Sequence, residues 1–129
     1  MQKVIPTFRI TDYEKSKSFY IDGLGFSIDW EHRFEPDFPV YMQITRDGLS
    51  LQLSEHTGDC KAGGLVNLFV ESVDDWYDDF QSRGVSVKER PNESIPGLRG
   101  MTVVDPDGNK IRIFTRLSSY RRKEGLNIG

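Results

Sequence analysis

Few side chains in this sequence have the chemistry to hold a metal or attack a substrate. There are two histidines, His32 and His56, and one cysteine, Cys60. His56 and Cys60 stand four apart, a spacing that one helical turn brings together. Gly58 and the Gly63-Gly64 pair mark that stretch as a linker instead, so a loop histidine and an incidental thiol are expected. The paired carboxylates Asp78 and Asp79 fall in a helical pattern and read as a solvated face. No Gly-x-Ser-x-Gly, Walker A or dinucleotide-binding pattern is present, and Gly23-Leu24-Gly25 reads as a helix end and the start of a strand. Two residues stand out by position. Gln52 lies in TRDGLSLQLS (45–54) and Arg112 in DPDGNKIRIF (105–114). Each is the middle polar residue of an alternating strand that follows an Asp-Gly turn.

That correspondence extends along the chain. Displaced by sixty residues, Phe8 meets Leu68, Ile10 meets Val70, Tyr20 meets Phe80, and Asp47-Gly48 meets Asp107-Gly108. One gap after Ser82 aligns GFSI (25–28) with GVSV (84–87) and closes before the second hairpin. Each half reads β-α-β-β-β, giving an α+β fold of two βαβββ modules, about 3–58 and 64–117, within one domain over 1–118. In the first, Thr11 with Glu14 makes a capping box, Ser16, Phe19 and Tyr20 a buried stripe, and Gly23 a stop. In the second, Ser72 with Asp75 caps a helix whose Val73, Trp76, Tyr77 and Phe80 share one face. The tail, 119–129, reads as a polar extension.

Strand alternation assigns faces. Val4, Pro6, Phe8 and Ile10 are expected under the helices, as are Val66, Leu68 and Val70. A two-residue turn at Asp47-Gly48 pairs Ile44 with Leu51 and Met42 with Leu53 in the core, and sets Gln43 opposite Gln52 and Tyr41 opposite Ser54 on the other face. In the second hairpin Val104, Ile111 and Ile113 are expected in the core, with Met101, Val103, Arg112 and Phe114 pointing away beside Asn67 and Phe69. This outer face, half polar and half aromatic, suits the lining of a concave ligand site; ordinary sheet surface or a subunit contact is the alternative.

Composition narrows the class. Of the 129 residues, 17 are Lys or Arg and 20 are Asp or Glu, a net charge of −3 that is too mild to suggest nucleic-acid binding. No run of 18 apolar residues predicts a membrane helix. The opening MQKVIPTFRITD has no signal-peptide core, and a single cysteine fits a reducing cytoplasm.

The stretches ITDYEKSKSFYIDGLGF (10–26) and VVDPDGNKIRIF (103–114), with the paired βαβββ pattern, resemble the vicinal oxygen chelate superfamily of glyoxalases, extradiol dioxygenases and bleomycin-resistance proteins. The resemblance covers roughly residues 3–117. It implies half-barrel sheets enclosing a cleft, and, in metal-dependent members, ligands at four positions that here are Ile5, Gln52, Leu65 and Arg112. Ile and Leu offer no donor atom, and Arg112 repels a cation. The metal-free, bleomycin-resistance-like branch is therefore expected: a non-enzymatic homodimer, without cofactor, that sequesters a planar or glycopeptide-like small-molecule ligand in a cleft at the dimer interface. A lyase or dioxygenase with non-standard ligands is the alternative. The loop WEHRFEPDFPVY (30–41) resembles a drug-groove loop, its Trp30, Phe34, Phe38 and Tyr41 able to stack on planar heterocycles or else to plug a barrel mouth or dimer contact. Asp29, Glu31, Glu35 and Asp37 favour a bleomycin-type cationic drug. Arg9 and Arg112 favour an anionic or zwitterionic one, unless Arg112 pairs with Glu55 or Asp105.

Overall fold

A computed structural model describes residue 2 and residues 4–117; the expected polar tail lies outside the described residues. The first unit contains β1 (Thr7–Arg9), α1 (Tyr13–Lys17) continued by a π-helical turn over Ser18–Gly23, β2 (Ser27–His32), β3 (Tyr41–Arg46) and β4 (Leu49–Ser54). The second contains β5 (Leu65–Phe69), α2 (Val73–Ser82), β6 (Glu89–Asn92), β7 (Leu98–Val104) and β8 (Lys110–Arg116). Their sheets have the same order, β1-β4-β3-β2 and β5-β8-β7-β6. The sixty-residue offset holds across the parallel pairs, since Thr7 stands beside Gln52 and Asn67 beside Arg112.

Local chemistry sets the element ends. Ser72 caps α2 by accepting from the Asp75 N–H at 3.2 Å, as the sequence predicts. The α1 cap is Asp12 rather than Thr11: the Asp12 carboxylate accepts from the Lys15 N–H at 3.1 Å. Thr11 is drawn away to the second unit, where its hydroxyl donates to Asp107. Gly84, at φ +78°, turns the chain after α2 in the left-handed conformation that lacks a steric penalty only for glycine. The β1 ladder starts only at Thr7, so Val4 precedes the sheet and is 78% exposed instead of lying in the core.

One core joins both units. Phe8, Tyr20, Ile44, Leu51 and Leu53 from the first pack with Leu68, Trp76, Phe80, Ile111 and Ile113 from the second. Polar clamps reinforce the contact. The Arg46 guanidinium carbon lies 4.0 Å from the Trp76 ring centroid, and the side chain donates to Asp79 at 2.9 Å and to the Leu24 carbonyl at 2.7 Å. Asp79 also accepts from Arg83 at 2.9 Å, so it is a structural anchor rather than half of a solvated carboxylate pair. Deeper in, the Tyr20 hydroxyl donates to Asp105 at 2.8 Å, and Asn109 donates to the Arg9 carbonyl at 2.9 Å. Burial, with Asp105 adding, pushes the Tyr20 phenol well above its ordinary value, which keeps it a donor.

The first hairpin has the expected register: Ile44 opposite Leu51, Met42 opposite Leu53, Gln43 opposite Gln52. The second does not. A two-residue turn at Asp107-Gly108 sets Val103 opposite Arg112, but Thr102 stands there, and Val104 pairs with Lys110 around a loop of residues 105–109. The cause is Asp105, whose carboxylate accepts from the N–H groups of Asp107 at 2.9 Å and Asn109 at 2.8 Å and wraps a longer loop. A slip of one residue exchanges the two faces of a strand. Met101 and Val103 therefore enter the core, opposite Ile113 and Ile111, and Val104 leaves it for a half-buried position.

Candidate functional site

Away from the helices, each sheet presents a cross-strand row centred on one of the two residues singled out by the repeat. On the first sheet the row is Trp30, Gln43, Gln52 and Thr7. On the second it is Glu89, Thr102, Arg112 and Asn67. Cross-strand neighbours share a face, so each row lines one surface. The next row along is His32, Tyr41, Ser54 and Arg9 on one sheet, and Asn92, Gly100, Phe114 and Phe69 on the other.

The first row is internally hydrogen-bonded. The Tyr41 hydroxyl donates to the Gln52 carbonyl oxygen, Gln52 donates to Gln43 at 3.0 Å, and Gln43 donates to Asp29 at 3.0 Å. Thr45 also donates to Asp29. A bulge between Ile28 and Trp30 turns Asp29 into this network, so its charge is committed to the sheet. Glu31 is committed too, as acceptor for the Tyr13 hydroxyl. Trp30 leans on Tyr41 with ring centroids 5.6 Å apart and remains 41% exposed. Phe34 stands further out, edge-on to His32 at 4.8 Å and to His56 at 6.3 Å, while Phe38 is exposed, its carbonyl accepting from Arg33. Trp30, Tyr41, Gln43 and Gln52 thus form a cluster, and Phe34 and Phe38 are exposed in the loop between β2 and β3.

The second row borders a hollow of about 210 Å³ that includes Glu89, Ile95, Leu98, Gly100, Thr102, Arg112 and Phe114. Ion pairs among the described residues involve Arg33, Arg46, Arg83 and Arg99. Side-chain donation by arginine comes from those four and Arg9. Arg112 therefore has no such partner among the described residues. The two carboxylates suggested for it are occupied: Asp105 by Tyr20 and Asn109, Glu55 by the Val40 N–H at 2.9 Å and Arg33 at 3.8 Å. Arg9, expected to add charge to the cleft, donates to the Glu55 carbonyl. Met101 borders the hollow, but its side chain belongs to the core, which corrects its placement on the concave face. Asn67 and Phe69 lie on the edge strand β5, where Phe69 packs on Phe114 at 5.6 Å and receives the Arg116 guanidinium 4.6 Å above its ring.

Sequence reasoning missed Thr102, Glu89 and Gly100. Phe114 is buried because Gly100 lies opposite it without a side chain: a Cβ there meets the Phe114 ring at 2.4 Å. Gly100→Ala should displace that ring and destabilise the protein by about 1–3 kcal/mol in chemical denaturation, the usual range for overpacking. An unchanged midpoint would show that the ring moves aside freely.

The four positions suggested for metal ligands fit a metal poorly. Ile5 and Leu65 have no donor atom, the Gln52 oxygen is taken by Tyr41, and Arg112 is a fixed cation. Among the described residues no three His, Cys, Asp or Glu side chains are grouped to hold an ion. His56 and Cys60 do not cooperate either. Cys60 points its sulfur to the Thr7 carbonyl at 3.7 Å, while burial, with Asp59 adding, raises its pKa and makes the nucleophilic thiolate scarce. Among the described residues no helix is long and apolar enough to cross a membrane.

Paired βαβββ units, each with a mixed four-stranded sheet, define a glyoxalase-like fold. Residues 1–119 match the sequence profile described as glyoxalase superfamily protein, and the chain belongs to that family. It is 28% identical to the uncharacterized protein YraH of Bacillus subtilis (strain 168) over 120 residues, covering 84% of this chain and 93% of YraH. The antibiotic-binding protein TnmS3 of Streptomyces sp. CB03234 superposes with a TM-score of 0.70 at 24% identity, over 91% of this chain and 98% of TnmS3. A bleomycin-binding protein solved in complex with bleomycin gives 0.70 at 22% identity, over 91% of this chain and all of the other (100%).

Proposed function

We propose that this chain is a non-enzymatic small-molecule-binding protein, holding its ligand against the concave sheet faces by hydrogen bonds and aromatic stacking without a metal. The observation that carries the reading is the character of Gln52 and Arg112 and their rows. They offer amides, a hydroxyl, a guanidinium and aromatic rings, and lack the donor set a catalytic cation requires. The antibiotic-binding and bleomycin-binding proteins of the same fold support an antibiotic as ligand and sequestration as the mode of resistance, with a bleomycin-type drug among the candidates. In this reading the protein acts in the cytoplasm, where its one cysteine stays reduced.

The working unit is a homodimer. β1 and β5 are sheet edges; exposed Leu65 and Phe69 lie on β5, and exposed Val4 just precedes β1. Those edges and their apolar side chains need a cover, which a second copy supplies. Sedimentation should give a dimer; a monomer at all concentrations contradicts this part.

A thermal-shift panel of planar antibiotics, including bleomycin-type drugs, tests the whole reading. A ligand at a hundredfold excess over its Kd stabilises by about 2.7 kcal/mol, on the order of 10 °C in Tm for a domain of this size. Trp30→Ala should reduce that shift while leaving the unliganded Tm nearly unchanged. A panel that moves the Tm nowhere contradicts ligand binding.

A further inference from the structure

We infer that the hollow over Arg112 takes an aryl carboxylate, either a single-ring acid or the carboxylate-bearing ring of a larger ligand. This rests on the reading that the concave faces bind small molecules, and it names the chemistry that one of them selects. Three observations carry it. First, Arg112 is half-buried on the sheet face and has no hydrogen-bond or ion-pair partner among the described residues, whereas the other guanidiniums named above are engaged. A guanidinium left unpaired beside apolar walls is set to receive a planar two-oxygen acceptor in a bidentate pair. Second, those walls are suited to a ring. Phe114 brings one edge of its ring against Gly100, where no side chain intervenes, and Ile95 and Leu98 border the same hollow. Third, size and charge limit the ligand. A hollow of about 210 Å³ lies below the 300–1,000 Å³ usual for drug-sized ligands, and it suits one ring with a charged head.

Glu89 fixes the direction of entry. It stands two strands from Arg112 in the same row, roughly 9–10 Å away by strand spacing. Its carboxylate repels an anionic head at that end, so the carboxylate of the ligand lies at Arg112 and the ring lies towards Phe114. Thr102, between them, offers its hydroxyl to the same head. A neutral amide of equal shape lacks the charge that pairs with Arg112, and an ammonium analogue is repelled by it.

The test is a titration of the full chain with benzoate, benzamide and benzylammonium, read by amide chemical shifts in NMR. Benzoate should shift Thr102, Arg112 and Phe114, and the other two should bind at least about tenfold more weakly, as expected for loss of a charge-assisted hydrogen bond. Arg112→Gln should weaken benzoate by a similar factor while preserving the dispersed spectrum. If that variant does not fold, the contrast among the three probes on the unmodified protein decides. Benzamide binding as tightly as benzoate, or shifts confined to other residues, overturns the assignment. Failure of benzoate while the thermal-shift panel still yields a neutral planar ligand sensitive to Trp30→Ala overturns the anion site alone. Failure of every compound overturns the binding reading with it.

Discussion

Asp105→Ala should cost about 3–5 kcal/mol, a large fraction of the 5–15 kcal/mol by which a domain is usually stable. Asp105 is 4% exposed, and its carboxylate accepts from four donors: the Tyr20 hydroxyl, the Asn109 side-chain amide, and the N–H groups of Asp107 and Asn109. Alanine leaves these donors facing a void. The damage spreads, because Asn109 also accepts from the N–H groups of Gly63 and Gly64 at 3.0 and 2.9 Å and donates to the Arg9 carbonyl. One side chain thus shapes the second hairpin, fastens the linker and ties the two units together. Urea denaturation followed by tryptophan fluorescence measures the loss. A change below about 1 kcal/mol would mean that water replaces the carboxylate with little penalty.

Phe80→Ala should cost a similar amount, about 3–5 kcal/mol, by deleting a large buried ring from a core that relaxes only partly. Phe80 is fully buried on α2, edge-on to Trp76 at 6.0 Å and beneath the Arg46 guanidinium at 5.8 Å. Its removal loosens the surface on which the first unit rests. Because both units contribute to one core, the variant should still unfold in a single transition, with a lower midpoint and the same slope. Two separate transitions would show that the units fold independently.

These two residues also show where the sequence was legible. Phe80 falls at the end of an i, i+3, i+4, i+7 pattern behind a Ser72 cap, and local periodicity was enough to place it in the core. The first hairpin was equally readable, because Asp47-Gly48 closes it with two residues and fixes every pair beyond. The DPDGN segment misled because its Asp-Gly pair looks the same on paper. The side chain of Asp105 makes a longer loop, shifting β7 by one position and sending Met101 and Val103 inward. Reading Asp105 as a side-chain-closed turn would have placed Thr102 opposite Arg112. Asp29 is a similar case: its acidity was plain, but the bulge that turns it onto Gln43 and Thr45 depends on the neighbouring strand. Gly100 gave no local signal, since its meaning comes only from Phe114 across the ladder.

The most direct test of the account is the metal content of the purified protein after exposure to excess Ni, Zn, Mn and Fe(II), followed by extensive dialysis and elemental analysis. Each metal should fall to a small fraction of the protein concentration, and a ligand found by thermal shift should bind equally well with a chelator present. One ion retained per chain, together with ligand binding that disappears in chelator, would contradict it.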